Sequence, residues 1–255
     1  MKSLIRKGAT LLTAGTLAIG SVFAAGLEAI ALTSEQIVQQ LSNVPVFTIT
    51  DESGSPLVSE VSRGEEEASP VTQVFINQED AQEFIEGIRG SSPDLANSVQ
   101  VTPVSLARIY EVALMGQNPD TRLEFIFVPD RDQVQSAVMI EQDTVTDESV
   151  DEFAGVPLFT ARSGVGGDDV GYLTIQRGEQ EVIPVFFSEA DLTSLLSEIE
   201  TSQPDLAGTL SPHVIRLEDL IYTLETTDDE QLTQIRLIPA SETLRFIQQQ
   251  QQQQQ

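Results

Sequence analysis

Pro93-Asp94-Leu95-Ala96 returns letter for letter as Pro204-Asp205-Leu206-Ala207, and outward from this pair the chain repeats at an offset of about 111 residues. Upstream, Val74-Phe75-Ile76-Asn77 recurs as Val185-Phe186-Phe187-Ser188, and Val44-Pro45-Val46-Phe47 as Val156-Pro157-Leu158-Phe159. Downstream, Ser105-Leu106 with Ile109-Tyr110 matches Arg216-Leu217 with Leu220-Ile221, and Phe127-Val128-Pro129 matches Leu237-Ile238-Pro239. The landmarks keep their order, so the chain is two copies of one unit.

Each copy spells the same elements. A strand at Val44 to Thr50 (Val156 to Ala161) leads through a variable hairpin to a strand at Val71 to Ile76 (Val182 to Phe187). A helix follows with apolar residues at Ala81, Phe84, Ile85 and Ile88, spaced i, i+3, i+4, i+7, and the second copy repeats the spacing with Leu192, Leu195, Leu196 and Ile199. Asn77 and Ser188 are N-cap residues, each followed three positions on by an Asp (Asp80, Asp191) in the manner of a capping box. Pro93 and Pro204 stop these helices. A strand near Val99 to Val104 (Leu210 to Ile215) then enters a second amphipathic helix carrying Leu106, Ile109, Tyr110 and Leu114, or Leu217, Leu220, Ile221 and Leu224. A last strand, Leu123 to Val128 or Gln234 to Ile238, precedes a third helix, where Asp130 and Gln133 form another capping-box pattern. This βββαβαβ series with a terminal helix lacks strict βαβ alternation. It predicts an α+β protein, two pseudo-symmetric repeats of mixed strands and amphipathic helices packed as one two-lobed body.

The expected segments are a signal peptide over residues 1–31, a first repeat over 32–140, an acidic solvated linker over 141–152, a second repeat over 153–247 and a disordered polyglutamine tail over 248–255. Lys2, Arg6 and Lys7 precede an apolar run from Ala9 to Ala25, the pattern of a secretory signal. Ala29-Ile30-Ala31 and Val22-Phe23-Ala24 are competing cleavage sites. An uncleaved anchor is the alternative, because the uncharged stretch approaches the ~18 residues needed to span. Either way the chain is expected to be exported.

There are 13 Lys plus Arg against 40 Asp plus Glu, a net charge of −27, and beyond Lys7 every such cation is arginine. Such a field repels nucleic acid and anionic headgroups, so nucleic-acid binding is not expected. With no cysteine and one histidine, the chain lacks thiol nucleophiles and disulfides, and beyond its leader it lacks Schiff-base and P-loop lysines. His213 is the one residue on which a catalytic triad could be built. It lies between Pro212 and Val214 with no G-x-S-x-G elbow before it, and is read as a loop or strand-edge histidine.

Ser163-Gly164-Val165-Gly166-Gly167 is followed by Asp168 and Asp169 and by no helix, so it is a hairpin turn rather than a phosphate loop. The acidic run Asp143 to Glu152 lacks calcium-loop spacing, and Glu65, Glu66 and Glu67 form a solvated face. No enzyme activity, catalytic residue, cofactor or metal is expected. Phe75, Phe125, Phe127, Phe186 and Phe187 lie on short strands. They either face helices and the other repeat, or line grooves between the repeats that bind apolar segments of clients. The sequence assigns no client-binding residue.

Taken together, Val44-Pro45-Val46-Phe47-Thr48-Ile49-Thr50, Val74 to Ala81, Val101-Thr102-Pro103-Val104-Ser105-Leu106 and Gly155-Val156-Pro157-Leu158-Phe159 resemble the family named for the twenty-two-kilodalton component of the translocon at the inner chloroplast envelope, in its cyanobacterial form. The resemblance spans about Leu41 to Ile247 and carries no catalytic signature. It implies a chaperone-like protein-transport factor of the periplasm or intermembrane space, with the thylakoid or its lumen as a second location. Such a factor holds unfolded proteins and supports outer-membrane biogenesis. The implied partners are unfolded or outer-membrane clients and the outer-membrane barrel insertase. A non-catalytic scaffold bridging envelope components is the alternative.

Overall fold

A computed structural model describes residues 31–61, 69–116, 123–144, 153–164 and 171–253. The signal segment up to residue 30, Glu65 to Glu67, the centre of the glycine cluster and most of the acidic run lie outside the described residues.

Helix α1 (Ser34–Leu41) opens the fold with a complete capping box, Thr33 and Gln36 each accepting from the other's backbone N–H. The first repeat then runs β1 (Pro45–Asp51), β2 (Ser59–Val61), β3 (Ser69–Phe75), α2 (Gln78–Ser91), α3 (Pro93–Ser98), β4 (Val99–Ser105), α4 (Leu106–Met115), β5 (Glu124–Val128) and α5 (Arg131–Thr144). The second runs β6 (Pro157–Ser163), β7 (Gly171–Tyr172), β8 (Ile175–Arg177), β9 (Gln180–Phe186), α6 (Glu189–Ser202), α7 (Pro204–Ala207), β10 (Leu210–Arg216), α8 (Leu217–Thr226), a 3-10 turn (Glu230–Gln234), β11 (Ile235–Ile238) and α9 (Ser241–Gln253).

The two sheets share one topology. Across the first the order is β4-β1-β3-β5, and across the second β10-β6-β9-β11, with β2, β7 and β8 as short additions. The first two pairings are antiparallel and the third parallel in each. Registers coincide: Pro45↔Ser105 repeats as Pro157↔Arg216, Phe47↔Phe75 as Phe159↔Phe186, and Phe75↔Val128 as Phe186↔Ile238. Pro103 and Pro212 sit mid-strand in β4 and β10, which form one edge of each order. A proline lacks the ladder donor, so its nitrogen must face the free edge, and both edges are thereby blunted against strand addition.

Alternation along β1, β3, β6 and β9 makes both faces of each sheet apolar. The inner faces, with Val46, Val74 and Ile76 from one sheet and Leu158, Val185 and Phe187 from the other, share a single core with α1, α4 and α8. Tyr110 on α4 ties the repeats across this core: burial, and then the carboxylate of Glu225 on α8 to which it is hydrogen-bonded, push its phenol up to about 12. The outer faces form separate cores. Phe47, Ile49 and Phe75 pack under α2 and α3 with Phe246 of α9. Phe159, Ala161 and Phe186 pack under α6 and α7 with Val134, Ala137 and Val138 of α5. Each repeat therefore sends its terminal helix to the outer face of the other sheet.

Several expectations are corrected. The segment expected as a linker begins inside α5, since Glu141 to Thr144 are its last turn, continuing a helix whose apolar face is already docked. The glutamines expected as a disordered tail are helical to Gln253, because glutamine is a good helix former and α9 is nucleated on the anchored Phe246. Pro93 and Pro204 stop their helices but also start α3 and α7 at the first helical position. The Asp80 and Asp191 boxes are half made: Asn77 and Ser188 cap α2 and α6, but Asp191 accepts instead from the N–H of Ser241 at 2.9 Å and Asp80 turns to Arg131 at 3.8 Å. Ser163 and Gly171 pair directly, which fits a hairpin around the glycine cluster, and Gly164 has φ +79°.

Burial within α6 is uneven, with Leu192 at 0 % exposure and Leu195 only half-buried. Leu192→Ala should cost about 2 to 5 kcal/mol and Leu195→Ala clearly less, read from urea midpoints at constant slope. Gly155 combines φ +95° with a neighbouring carboxylate: an added Cβ would stand 2.7 Å from Glu218 Oε2, which accepts from the N–H of Val156. Gly155→Ala should destabilise by about 1 to 3 kcal/mol, and equal melting temperatures for variant and parent would contradict this account.

Candidate functional site

The pieces of a hydrolytic site do not come together. His213 stands on β10 opposite Thr160, and its ring lies 6.3 Å from that of Tyr172. The Thr160 hydroxyl donates to the carbonyl of Pro184 at 3.0 Å, away from any role as a nucleophile. Burial, and then the nearby Arg162 cation, hold the imidazole down at about 4, so it is neutral at physiological pH. The reading of His213 as a strand-edge residue fits its place on an outer strand. Among the described residues no three His, Cys, Asp or Glu side chains are grouped to hold a metal.

What the structure presents instead is open grooves of mixed apolar and polar lining, the first of them also bordered by Arg177 and Arg236. A groove of about 800 Å³ runs between α1 and the end of the second sheet, where Leu32, Leu237, Ile238, Pro239 and Leu244 meet Gln36, Gln39, Gln40 and Gln180. It lies on the seam between the N-terminal helix and the second repeat. A second groove, about 920 Å³, lies on the outer face of the first sheet between α2 and α9. Ile85, Ala96, Val99 and Val101 form its floor, Phe246 and Gln250 one wall, and Glu79, Gln82, Glu83, Glu86 and Arg89 of α2 the other. A third space, of about 340 Å³, lies elsewhere on the second lobe, beside Phe153, Val214 and Arg216.

Of the strand phenylalanines, Phe75, Phe186 and Phe187 are core, and Phe125 and Phe127 are half-buried against the shared core. None of the five lines these grooves. The strand residues among their lining, Leu237 and Ile238 in one and Val99 and Val101 in the other, have a periodicity indistinguishable from that of core strands. Phe246 was the residue the sequence could have offered, a lone aromatic entering a glutamine run.

Around the crossing of the two terminal helices four helix starts converge. Asn77, which caps α2, donates to Asp130 Oδ2 at 2.8 Å, and Asp130 caps α5 through the N–H groups of Asp132 and Gln133. Gln133 Oε1 accepts from Glu189 N–H at 2.9 Å, joining α5 to α6, and Asp191 joins α6 to α9. The carboxylates complement the helix dipoles. Burial first, and then the neighbouring Asp130, raise the carboxyls of both Asp80 and Glu242 above the usual carboxylate range.

The depressed histidine gives a pH test. Its folded value is below 6.5, so the contribution of keeping it neutral is complete above about 6.5 and is lost as pH falls towards about 4, where the unfolded chain already holds the proton. Melting temperatures measured over this window should fall more steeply for the parent than for His213→Gln, and parallel curves would refute the assignment.

The comparisons agree with this geometry. The model of the Tic22-like family matches residues 9–252. The chain is 23% identical over 202 residues to Protein TIC 22, chloroplastic, of Pisum sativum, covering 78% of this chain and 70% of that one. The fold is similar to that of Anabaena Tic22, described as a protein-transport protein, with TM-score 0.73 and 26% identity over 86% of this chain and 97% of the other. It is also similar in fold to Tic22 from Plasmodium falciparum, with TM-score 0.63 and 18% identity over 84% and 97%. Among the described residues no helix is long and apolar enough to cross a membrane. The chain belongs to the Tic22-like family, and it is a non-catalytic protein-transport factor.

Proposed function

We propose that this protein holds unfolded proteins in transit between two membranes, in the periplasm or the corresponding envelope space, and so supports outer-membrane biogenesis. The observation that carries the reading is the pair of open grooves in which apolar side chains lie among polar ones, in a molecule whose one histidine faces a threonine that is hydrogen-bonded to the Pro184 carbonyl. Apolar burial is non-directional and contributes about 25 cal/mol per Å², so such grooves accept many sequences at modest affinity. The Pisum sativum relative is named as chloroplastic and the Anabaena protein as a transport protein, which suits this placement. The net charge of −27 keeps a loaded complex soluble and away from anionic bilayer surfaces.

The prolines of β4 and β10 disfavour strand addition at one edge of each sheet. Light scattering of a urea-unfolded outer-membrane barrel protein diluted into buffer provides the test. Stoichiometric excess of this chain should delay aggregation several-fold, and the delay should persist in molar salt, which screens charge without weakening apolar contact. Unchanged aggregation, or protection that vanishes with salt, would favour a scaffold that bridges envelope components without holding clients.

A further inference from the structure

The outer groove of the first lobe differs from its counterpart in the second in three independent ways. The first is its wall. Glu79, Glu83 and Glu86 are spaced i, i+4, i+7 and line the groove along α2 together with Gln82 and one cation, Arg89, so that the wall carries three carboxylates to one guanidinium. Counting from the equivalent caps Asn77 and Ser188, the same positions of α6 are Ala190, Ser194 and Ser197. The acidic stripe is therefore a property of one lobe, and the general acidity of the chain does not account for it.

The second is the covering helix. On the second lobe α5 docks through Val134, Ala137, Val138 and Ile140, with Ala137 fully buried. Counting from the equivalent strand ends Val128 and Ile238, α9 carries Gln248 and Gln250 where α5 has Val138 and Ile140. Beyond Phe246, whose ring meets Phe47 edge-on at 5.9 Å, the helix has only half-buried Ile247 and glutamine to offer the sheet.

The third is the joint at the base of the groove. The Gln133 amide that fastens α5 to the start of α6 has Thr243 as its counterpart on α9, and a threonine side chain is too short for the same reach. Glu242 beside it faces the carboxylates of Glu79, Asp130 and Asp191, with Arg245 as the opposing charge.

We infer that this groove binds cationic amphipathic segments of client proteins and that α9 is its displaceable wall. The inference rests on the client-holding reading and narrows it to one groove and one chemistry. Val99, Val101, Ile85 and Phe246 receive apolar side chains, and the stripe of α2 receives basic side chains along one flank. Glu83 and Glu86 are paired with Arg131 and Arg89 at 3.1 and 3.2 Å on the exposed surface. Such exposed pairs contribute little, so a client's cations can take the arginines' place.

The probe is a short fluorescein-labelled peptide of leucine and lysine at helical spacing, with a leucine and glutamate twin, titrated by anisotropy against the full chain. The lysine peptide should bind and the glutamate twin should not. Glu79→Gln, Glu83→Gln and Glu86→Gln together should weaken lysine-peptide binding about tenfold and flatten its salt dependence. Neutralising the exposed Glu198, Glu200 and Asp205 on the second lobe to the same extent should change it less than about twofold. Gln248→Val with Gln250→Ile should close the groove and weaken binding by a similar factor while raising the melting temperature.

Equal binding of both peptides, or equal loss from the two charge-neutralised variants, would overturn the inference. So would a dimer abolished by the Gln248→Val, Gln250→Ile change, which would make a second copy the occupant. In each of these cases protection of the unfolded barrel protein at high salt would still be free to succeed, so failure here is distinguishable from failure of the holding function.

Discussion

Both sheets are apolar on both faces, and this constraint organises everything else. A strand such as β1 turns Val46 inward and Phe47 and Ile49 outward, and all three are buried. Burying a side chain of this kind is worth roughly 1.5 to 3 kcal/mol, so neither face can be left to solvent. The helices that follow β3 and β9 cover part of each outer face, and the remainder is covered by a helix from the other repeat. The lobes are thus locked by reciprocal exchange as well as by the core shared between their inner faces.

Such an arrangement lets the repeats diverge wherever cover is not at stake. Registers, the caps of α2 and α6 and the hydrogen bonds Leu106 N–H to Val44 and Leu217 N–H to Val156, at 2.7 and 2.9 Å, are kept in both copies. The N–H of the residue that enters the first strand shows the alternative: Val44 donates to Leu41 at the end of α1, whereas Val156 donates to the carboxylate of Glu218. One copy uses the added helix and the other a side chain, with Gly155 making the room. Differences of this kind solve a local backbone problem. The wall, cover and joint of the first outer groove solve none, and all three loosen or charge the same place.

Much of the fold was legible in the sequence because local periodicity and capping chemistry report it. The i, i+3, i+4, i+7 faces, the N-caps at Asn77 and Ser188 and the order of strands follow from residues within one turn or one hairpin of each other. The exchange of α5 and α9 was not, since an amphipathic helix states that it has a buried face and not which sheet receives it. The same limit explains the half-made capping boxes. Gln133 and Asp191 have the right spacing to close their own helix starts, but tertiary neighbours bring the N–H groups of Glu189 and Ser241 into reach. The grooves were hidden for a further reason: Val99 and Val101 have strand periodicity whether covered or not, and only the glutamine run opposite them leaves the floor half-open.

Charge completes the account. Four helix starts converging at one crossing concentrate positive dipole ends, and Glu79, Asp80, Asp132, Glu189, Asp191 and Glu242 occupy their first turns. Dipoles and two arginines do not fully offset so many carboxylates. The raised carboxyls of Asp80 and Glu242 show the excess, because a folded value above the unfolded one means that ionisation costs folding free energy, a cost present at neutral pH and relieved as pH falls through the raised value. Glu242 carries its share at the start of α9, facing Glu79 at the start of α2, where the amide link found on the other lobe is missing. The joint at the base of the groove therefore sets crowded carboxylates beside a helix whose far end is glutamine, held at its start by the Ser241–Asp191 hydrogen bond and by Phe246. On the inference drawn above, this is the terminal helix that moves aside.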